Sequence, residues 1–174
     1  MIDQERKRQI REVYERQIDR VYRTARICTG NPSDAEDVAE SVFLTVIEKN
    51  ITFKSEAHEK AWFITAVRNR CKDLHKSSWR GKVQLVEPTD VYAENSLYDT
   101  AEQTCADIKS ETESEAARLL MMLPEDQREA VYLCYYEGYT VKEAAGIMGI
   151  KETTIRSKLT SAKRTLRRDH DERE

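Results

Sequence analysis

Residues 140–168, TVKEAAGIMGIKETTIRSKLTSAKRTLRR, decide the fold of the C-terminal part of the chain. Four apolar residues recur at i, i+3, i+4 and i+7 and predict one buried helix face: Val141, Ala144, Ala145 and Met148. Thr140 and Glu143 fit a capping box at the start of this helix, since each side chain can bond the backbone amide of the other residue. Gly149 tolerates a positive φ and predicts a sharp end to the helix.

A second helical pattern follows the glycine, with apolar residues at i, i+4, i+7 and i+11: Ile155, Leu159, Ala162 and Leu166. Two short helices joined by a Gly-containing turn predict a helix-turn-helix, whose second helix enters the major groove of DNA. The second helix is strongly basic, which suits phosphates and base edges. The residues expected to contact DNA are Thr153, Thr154, Arg156, Ser157, Lys158, Thr160, Lys163 and Arg164. The alternative is a helical hairpin whose basic residues form only a solvated face.

The composition favours a helical protein. A hydrophobic content of 39% can support a core, while 35% charged residues with only five glycines and three prolines favour helices. The length of 174 residues allows one domain or two small ones. The net charge of −3 hides a strong segregation of basic and acidic stretches along the chain.

No segment of the sequence indicates export or membrane insertion. Apolar runs are shorter than a membrane span, and the N-terminal residues MIDQERKRQIRE lack the apolar core of a signal peptide. We therefore expect a cytoplasmic protein. The four cysteines form no CxxC pair and are expected to be free thiols, although oxidative pairing stays open. They are Cys28, Cys71, Cys105 and Cys134.

Three helical patterns predict an N-terminal domain over residues 1–82. The first pattern ends at Gly30, and Ser33 with Glu36 suggests a capping box for the second. The third occupies about residues 58–79 and becomes basic in its second half. Its aromatic residues are predicted either to stack on unpaired bases or to belong to an ordinary core, and the helical spacing favours the core for each aromatic taken alone.

An acidic stretch separates this domain from the C-terminal helices. Residues 87–115 contain nine acidic residues and one lysine, and their apolar residues are sparse and non-periodic. We predict a flexible acidic linker over residues 83–112 and a C-terminal domain of about four helices over residues 113–174. The inward-facing residues expected on its second helix are Val131, Cys134 and Tyr135. The predicted fold class is all-α, with two small helical domains joined by the linker.

Three blocks of the sequence resemble the extracytoplasmic-function group of the sigma-70 family, the short two-domain sigma factors of bacterial RNA polymerase. Residues 35–43 (AEDVAESVF) are similar to the polymerase-binding helix of that family. Residues 53–76 (FKSEAHEKAWFITAVRNRCKDLHK) resemble its promoter-melting block, and residues 123–167 resemble its C-terminal domain. The order of the three blocks around an acidic linker is more specific than the helix-turn-helix alone.

The resemblance implies a factor that directs core RNA polymerase to promoters and assists promoter melting. The implied contacts to the polymerase are Asp34, Glu36, Asp37, Glu40 and Phe43. The residues implied to capture unpaired bases of the downstream (−10) element are Trp62, Arg68, Asn69, Lys72, Asp73 and Lys76. The helix-turn-helix would bind the upstream (−35) element as a duplex. The implied partners are bacterial core polymerase and promoter DNA, and the sequence leaves open whether an anti-sigma factor also binds.

The sequence contains no catalytic constellation, so we expect neither an enzyme nor a cofactor. Its three histidines are scattered, and the HExxH, P-loop and nucleophile-elbow motifs are absent. Cys71 and His75 are spaced at i and i+4, but a structural zinc site needs four ligands, so no metal is expected.

Two other functions stay open at this point. One is a stand-alone helix-turn-helix regulator that binds a palindromic site without polymerase. The other is a helical adaptor that binds only proteins. The basic helix with aromatic residues in the N-terminal domain favours the sigma factor, because neither rival needs a surface for unpaired bases.

Overall fold

The computed structural model describes residues 3–77 and 112–172 of the chain. These residues form helices joined by short turns, and no strand occurs among them. The predicted all-α class is therefore confirmed for the described ranges. The predicted linker, residues 83–112 including Cys105, lies outside the described residues except for Thr112. Trp79 also lies outside them.

The chain divides into two compact units, residues 1–94 and 95–174. Within residues 3–77 the first unit contains three helices: α1 (Gln4–Thr29), α2 (Pro32–Glu48) and α3 (Glu56–Ser77). All three pack against one another around an apolar core. The most deeply buried members of that core include Val21, Ala25, Ala35, Val38, Phe63, Val67 and Cys71.

Helix α2 begins at a different cap from the one expected. The side chain of Asn31 accepts a hydrogen bond from the backbone amide of Asp34 at 2.8 Å, and Pro32 occupies the first turn. The expected capping box of Ser33 and Glu36 is therefore wrong. Asparagine is as good a cap as serine, and proline suits the first helical position because that position needs no amide hydrogen.

The carboxylate of Glu59, near the start of α3, joins α3 to α1. It is only 4% exposed and accepts two hydrogen bonds from the guanidinium of Arg16, at 2.9 and 2.8 Å. The side-chain amide of Gln17 donates a third, at 2.6 Å. The hydrogen bond to Glu59 raises the pKa of Arg16. Because several donors satisfy this buried charge, Glu59 can fix the start of α3 against α1.

The second unit contains four α-helices and one π-helical turn among the described residues. They are α4 (Thr112–Met121), α5 (Glu125–Val131), the π-helical turn (Tyr132–Tyr136), α6 (Val141–Met148) and α7 (Glu152–Asp171). Helix α7 packs against both α5 and α6. The buried apolar residues of this unit are Leu123, Ala130, Tyr132, Leu133, Ala144, Ala145, Ile147, Met148, Ile155 and Ala162.

The π-helical turn changes which side chains face the core. Tyr132 and Leu133 are buried, whereas Tyr135 is 74% exposed. The expectation that Tyr135 faces inward is therefore wrong. The buried Glu137 accepts a hydrogen bond from the Tyr132 hydroxyl at 2.7 Å, so a polar residue takes an inward position that an apolar pattern does not reveal.

The turn between α6 and α7 has the predicted geometry. Gly149 has a φ of 66°, in the left-handed region that favours glycine. The amide of Ile150 donates to the carbonyl of Ala145 at 3.1 Å, as in a Schellman motif. At the other end of α6, Thr140 and Glu143 form both hydrogen bonds of the capping box. These contacts confirm the expected helix-turn-helix.

Candidate nucleic-acid interface

Six residues of α7 lie on one side of the helix, which we call the outward face of α7. All six are exposed: Thr153, Arg156, Ser157, Thr160, Lys163 and Arg164. Opposite them, Ile155 and Ala162 are fully buried against the rest of the unit. The outward face thus carries three cations and three hydroxyls on an element that is anchored from behind, which suits contact with a nucleic acid.

Two side chains of this face make contacts within α7 and are exposed to solvent. The Arg156 side chain is 61% exposed and lies 3.4 Å from the carboxylate of Glu152. The Thr160 hydroxyl donates to the carbonyl of Arg156 at 2.9 Å. An exposed i,i+4 ion pair contributes only about 0.3–0.5 kcal/mol, so Arg156 can exchange Glu152 for a base edge or a phosphate.

Two of the predicted DNA-contacting residues, Thr154 and Lys158, lie on the flank of α7 and are half-buried. The ammonium of Lys158 pairs with the carboxylate of Asp126 in α5. This hydrogen bond lowers the pKa of Asp126, so its carboxylate is charged at neutral pH. The structure therefore separates Lys158 from the cations of the outward face.

The six predicted downstream-element residues of α3 divide into two groups by burial. Trp62, Arg68 and Asp73 are buried, at 9%, 7% and 8% exposure, whereas Lys72 and Lys76 are exposed and Asn69 is half-buried. The Trp62 ring packs edge-on against Phe53 and Phe63, with ring centroids 5.6 and 5.1 Å apart. The ring of Trp62 thus belongs to the core of the first unit.

The acidic residues of α2 form a third surface. Asp34, Glu36, Asp37 and Glu40 are all exposed, and Asp34 also accepts a hydrogen bond from the Asn31 side chain at 2.7 Å. Phe43, by contrast, is only 9% exposed, and its ring centroid lies 4.8 Å from that of Tyr14 and 5.3 Å from that of Phe63. Phe43 therefore belongs to the core beneath this surface.

Two family models and several curated relatives match the chain. Sigma-70 region 2 matches residues 13–81, and Sigma-70, region 4 matches residues 114–166. The ECF RNA polymerase sigma factor SigM of Mycobacterium tuberculosis is 27% identical over 157 residues, covering 90% of this chain and 74% of SigM. The ECF RNA polymerase sigma factor EcfG of Rhodopseudomonas palustris is 32% identical over 138 residues, covering 79% of this chain and 72% of EcfG.

The chain belongs to the extracytoplasmic-function RNA polymerase sigma factors. The family resemblance of its three sequence blocks is thereby confirmed. This sigma factor directs core RNA polymerase to promoters for transcription initiation. The region 2 match covers α2, α3 and much of α1. The region 4 match covers α6 and the part of α7 up to residue 166.

Solved structures have the same fold as this sigma factor. A structure of the sigma factor RpoE in complex with the anti-sigma factor NepR from Bartonella quintana matches with a TM-score of 0.62 and 21% identity. That match covers 91% of this chain and 94% of the other. A structure of CnrH in complex with the cytosolic domain of CnrY matches with a TM-score of 0.59 and 18% identity, over 95% and 89% of the two chains.

Sequence reasoning missed two apolar residues on the acidic surface of this sigma factor. Leu44 and Ile47 of α2 are 45% and 37% exposed. Together with Asp37 and Glu40 they follow the spacing i, i+3, i+7 and i+10, so all four lie on one side of α2. The available signal was Leu44 itself, a leucine outside the apolar stripe of its helix.

Two further features of the described ranges bear on partners and ligands. No helix within residues 3–77 or 112–172 is both long and apolar enough to cross a bilayer. Within the same ranges, no three His, Cys, Asp or Glu side chains come together as a candidate metal site. Cys28, Cys71 and Cys134 are free thiols, and burial raises the pKa of Cys134.

Proposed function

We propose that this sigma factor contacts the promoter through two separate surfaces while a third binds core polymerase. The outward face of α7 binds the upstream (−35) element as duplex DNA. Helix α3 holds unpaired bases of the downstream (−10) element, and the exposed side of α2 binds the coiled coil of the largest polymerase subunit. The observation that carries the proposal is the outward face of α7, where exposed cations and hydroxyls stand on a firmly packed helix.

The upstream contact is supported by the chemistry of the outward face. Arginine can bond guanine with two hydrogen bonds, and serine or threonine can bond either a base or a phosphate. Lys163 and Arg164 lie about two turns beyond Arg156, at a distance that suits phosphates flanking the bases that Arg156 contacts. The N-terminal cap of α7, Lys151, makes no side-chain hydrogen bond to the first-turn amides. The amides of Thr154 and Ile155 donate to the Lys151 carbonyl, so a phosphate can bind only the earlier amides of this turn.

The downstream contact is supported by three residues of α3 that reach the surface. Asn69, Lys72 and Lys76 follow the spacing i, i+3 and i+7, which brings them to one side of the helix. The lysines suit phosphates of a separated strand, and the asparagine amide suits a base edge. The buried Trp62, Arg68 and Asp73 support α3 from within the unit rather than by touching DNA.

The energetics of strand opening agree with this assignment. Extruding a base from a duplex costs a few kcal/mol. Contacts to single strands return about 1–3 kcal/mol for each stacked base. Because Trp62 and Phe63 of α3 are buried, strand opening is expected to be shared with the polymerase.

The polymerase contact is supported by the mixed character of the α2 surface. Exposed carboxylates at Glu36, Asp37 and Glu40 suit basic residues of a partner helix, and Leu44 and Ile47 provide apolar area beside them. Such a combination is typical of protein interfaces, in which an apolar centre has a charged rim. An isolated solvated helix face does not need exposed leucine and isoleucine at this spacing.

An anti-sigma factor is a further proposed partner. Support comes from RpoE and CnrH, whose structures were determined in complex with an anti-sigma factor, NepR, and with the cytosolic domain of CnrY. The test is whether the tagged sigma factor is recovered from its cells with a protein that inhibits transcription when added back to the purified holoenzyme.

We also propose that this sigma factor acts in the cytoplasm and catalyses no reaction itself. Its partners, core polymerase and promoter DNA, occupy that compartment in bacteria. The absence of a known catalytic motif from the sequence supports a regulatory role.

Run-off transcription with purified core polymerase and a library of promoter fragments tests the proposed function. We expect specific transcription starts that depend on this sigma factor, and aligned promoters that share an upstream and a downstream element. If no fragment gives a specific start, the chain does not act as an initiation factor under these conditions and the proposal fails.

The role of α7 can be tested within the same experiment. We expect Arg156→Ala to reduce transcription from promoters with an intact upstream element by about fivefold or more, since a bidentate arginine contact contributes about 1–3 kcal/mol. Binding to core polymerase should be unchanged. Arg118→Ala is the matched control, because Arg118 is an exposed arginine of the same unit on α4. Equal losses in polymerase binding and promoter selectivity for Arg156→Ala would mean that Arg156 is structural.

A further inference from the structure

Lys158 occupies a different side of α7 from the DNA-binding cations. At about 100° per residue, it points roughly 160° away from Arg156, two positions earlier. Its side chain is 20% exposed, against 61% for Arg156. The spacing i, i+4 places Thr154 next to it, and Thr154 is also half-buried. Lys158 therefore faces the flank on which α7 meets the rest of its unit.

The partner of Lys158 belongs to a helix that supports α7 from behind. Asp126 lies in the first turn of α5, which packs against α7. One carboxylate oxygen of Asp126 accepts from the Lys158 ammonium, and the other accepts from the Gln127 amide at 2.9 Å. Both ends of the ion pair are thus tied to α-helices, so the pair links the start of α5 to the second turn of α7.

We propose that Asp126 is a positioning residue for promoter recognition: through Lys158 it sets the rotation of α7 and thereby the direction of the outward face. In this role, Lys158 joins α7 to α5 through its ion pair with Asp126 and does not neutralise a phosphate. This inference rests on the proposed contact between α7 and the upstream element. It assigns a role to an acidic residue that never touches DNA.

The proposal differs sharply from a purely electrostatic account. If charge alone mattered, Asp126→Asn would strengthen DNA binding, because it removes a negative charge near a basic helix. If the pair positions α7, Asp126→Asn must weaken selectivity for the upstream element, as Lys158→Met does. The two substitutions change the net charge in opposite directions and yet are expected to have the same effect.

The first measurement is the salt dependence of promoter binding by the holoenzyme. Each phosphate that the protein neutralises contributes about 0.9 to the slope of log affinity against log salt concentration. We expect Lys163→Met to reduce the magnitude of the slope by about 0.9, and Lys158→Met to leave it unchanged. A slope reduced as much by Lys158→Met as by Lys163→Met would mean that Lys158 binds a phosphate, and would overturn the proposal.

The second measurement is the ratio of transcription from a promoter with an intact upstream element to that from a promoter with the element scrambled. We expect Asp126→Asn and Lys158→Met each to lower this ratio roughly two- to fivefold, the range for a partly exposed ion pair. The double substitution Asp126→Lys with Lys158→Asp should restore most of it. A purely structural role would lower the unfolding temperature and leave the ratio intact, which overturns the proposal.

Measurements on the wild-type holoenzyme distinguish a failure of the positioning role from a failure of the proposed function. If the wild type initiates at specific promoters and its ratio depends on the upstream element, the proposed function holds. A ratio that stays unchanged or rises in Asp126→Asn then refutes the positioning role alone. If the wild type shows no dependence on any upstream sequence, the proposed function of α7 fails, and the positioning role fails with it.

Discussion

The carboxylate of Glu59 holds a buried cluster of polar contacts in the N-terminal unit. It is buried between α1 and α3, and Arg16 and Gln17 donate three hydrogen bonds to it. We expect Glu59→Gln to lower the free energy of unfolding of this unit by about 1–3 kcal/mol, because a hydrogen-bonded charge is replaced by a group that cannot satisfy the same donors. Thermal unfolding followed by circular dichroism measures the change.

Glu15→Gln is the matched control for this prediction. Glu15 is an exposed glutamate of α1, and neutralising it should change the stability by less than about 0.5 kcal/mol. Equal unfolding temperatures for Glu59→Gln and Glu15→Gln would show that the contacts of Glu59 contribute nothing beyond those of a surface carboxylate.

Single residues also show where the sequence was least informative. Helical spacing favoured Trp62 as a core residue but left base stacking open, and the structure places its ring in the core at 9% exposure. Burial of Arg68 and Asp73 could not be predicted, because charged residues are rarely buried and a pattern of polarity assigns them to the surface. Only tertiary contacts decide such cases.

At the scale of elements, the turn of the helix-turn-helix depends on Gly149. Its φ is 66°, and among the described residues no side chain beyond its two chain neighbours lies within 4 Å of the position that a Cβ would occupy. We expect Gly149→Ala to lower the free energy of unfolding of the C-terminal unit by about 1–2 kcal/mol, from the strain of a left-handed alanine alone. Chemical denaturation of the full chain, followed by far-ultraviolet circular dichroism, measures the loss.

Gly149→Asn tests the cause of that loss. Asparagine adopts the left-handed region more readily than other non-glycine residues, so it should cost distinctly less than alanine although it is larger. If asparagine destabilises the unit more than alanine does, then crowding rather than backbone strain limits the position.

The elements differ in how far sequence could predict them. The capping box of α6 and the glycine at its end were predicted correctly, because the residues that form them lie next to each other in the chain. The start of α2 was misplaced by two positions, since Asn31 and Ser33 are both good caps and only the backbone decides between them. The π-helical turn and the outward Tyr135 were missed because π-helical geometry has no periodic signature of its own.

At the scale of the whole molecule, opposite charges lie on different helices. The outward face of α7 is basic, whereas the exposed side of α2 is acidic and partly apolar. The net charge of −3 therefore describes neither surface. A basic surface attracts DNA and an acidic surface repels it, so the proposed assignment gives DNA and polymerase separate surfaces.

This separation predicts that polymerase binding and promoter selectivity can be lost independently. We expect Leu44→Asp to weaken binding to core polymerase about three- to tenfold, because full burial of a leucine side chain contributes about 1.5–3 kcal/mol and about half of the Leu44 side chain is exposed before binding. Leu44 is already 45% exposed, so the unfolding temperature should hardly change. Fluorescence anisotropy with the labelled sigma factor measures the affinity for core polymerase.

Two control variants test whether the loss of polymerase binding is specific to the α2 surface. Glu15→Lys changes an exposed charge on α1 and should leave the affinity for polymerase within about twofold of the wild type, since single exposed charges contribute little. Arg156→Ala should bind polymerase normally and lose selectivity for the upstream element, the reverse of Leu44→Asp. If Leu44→Asp binds core polymerase with wild-type affinity, the polymerase contact lies on another surface, and the acidic and apolar residues of α2 must serve a different partner.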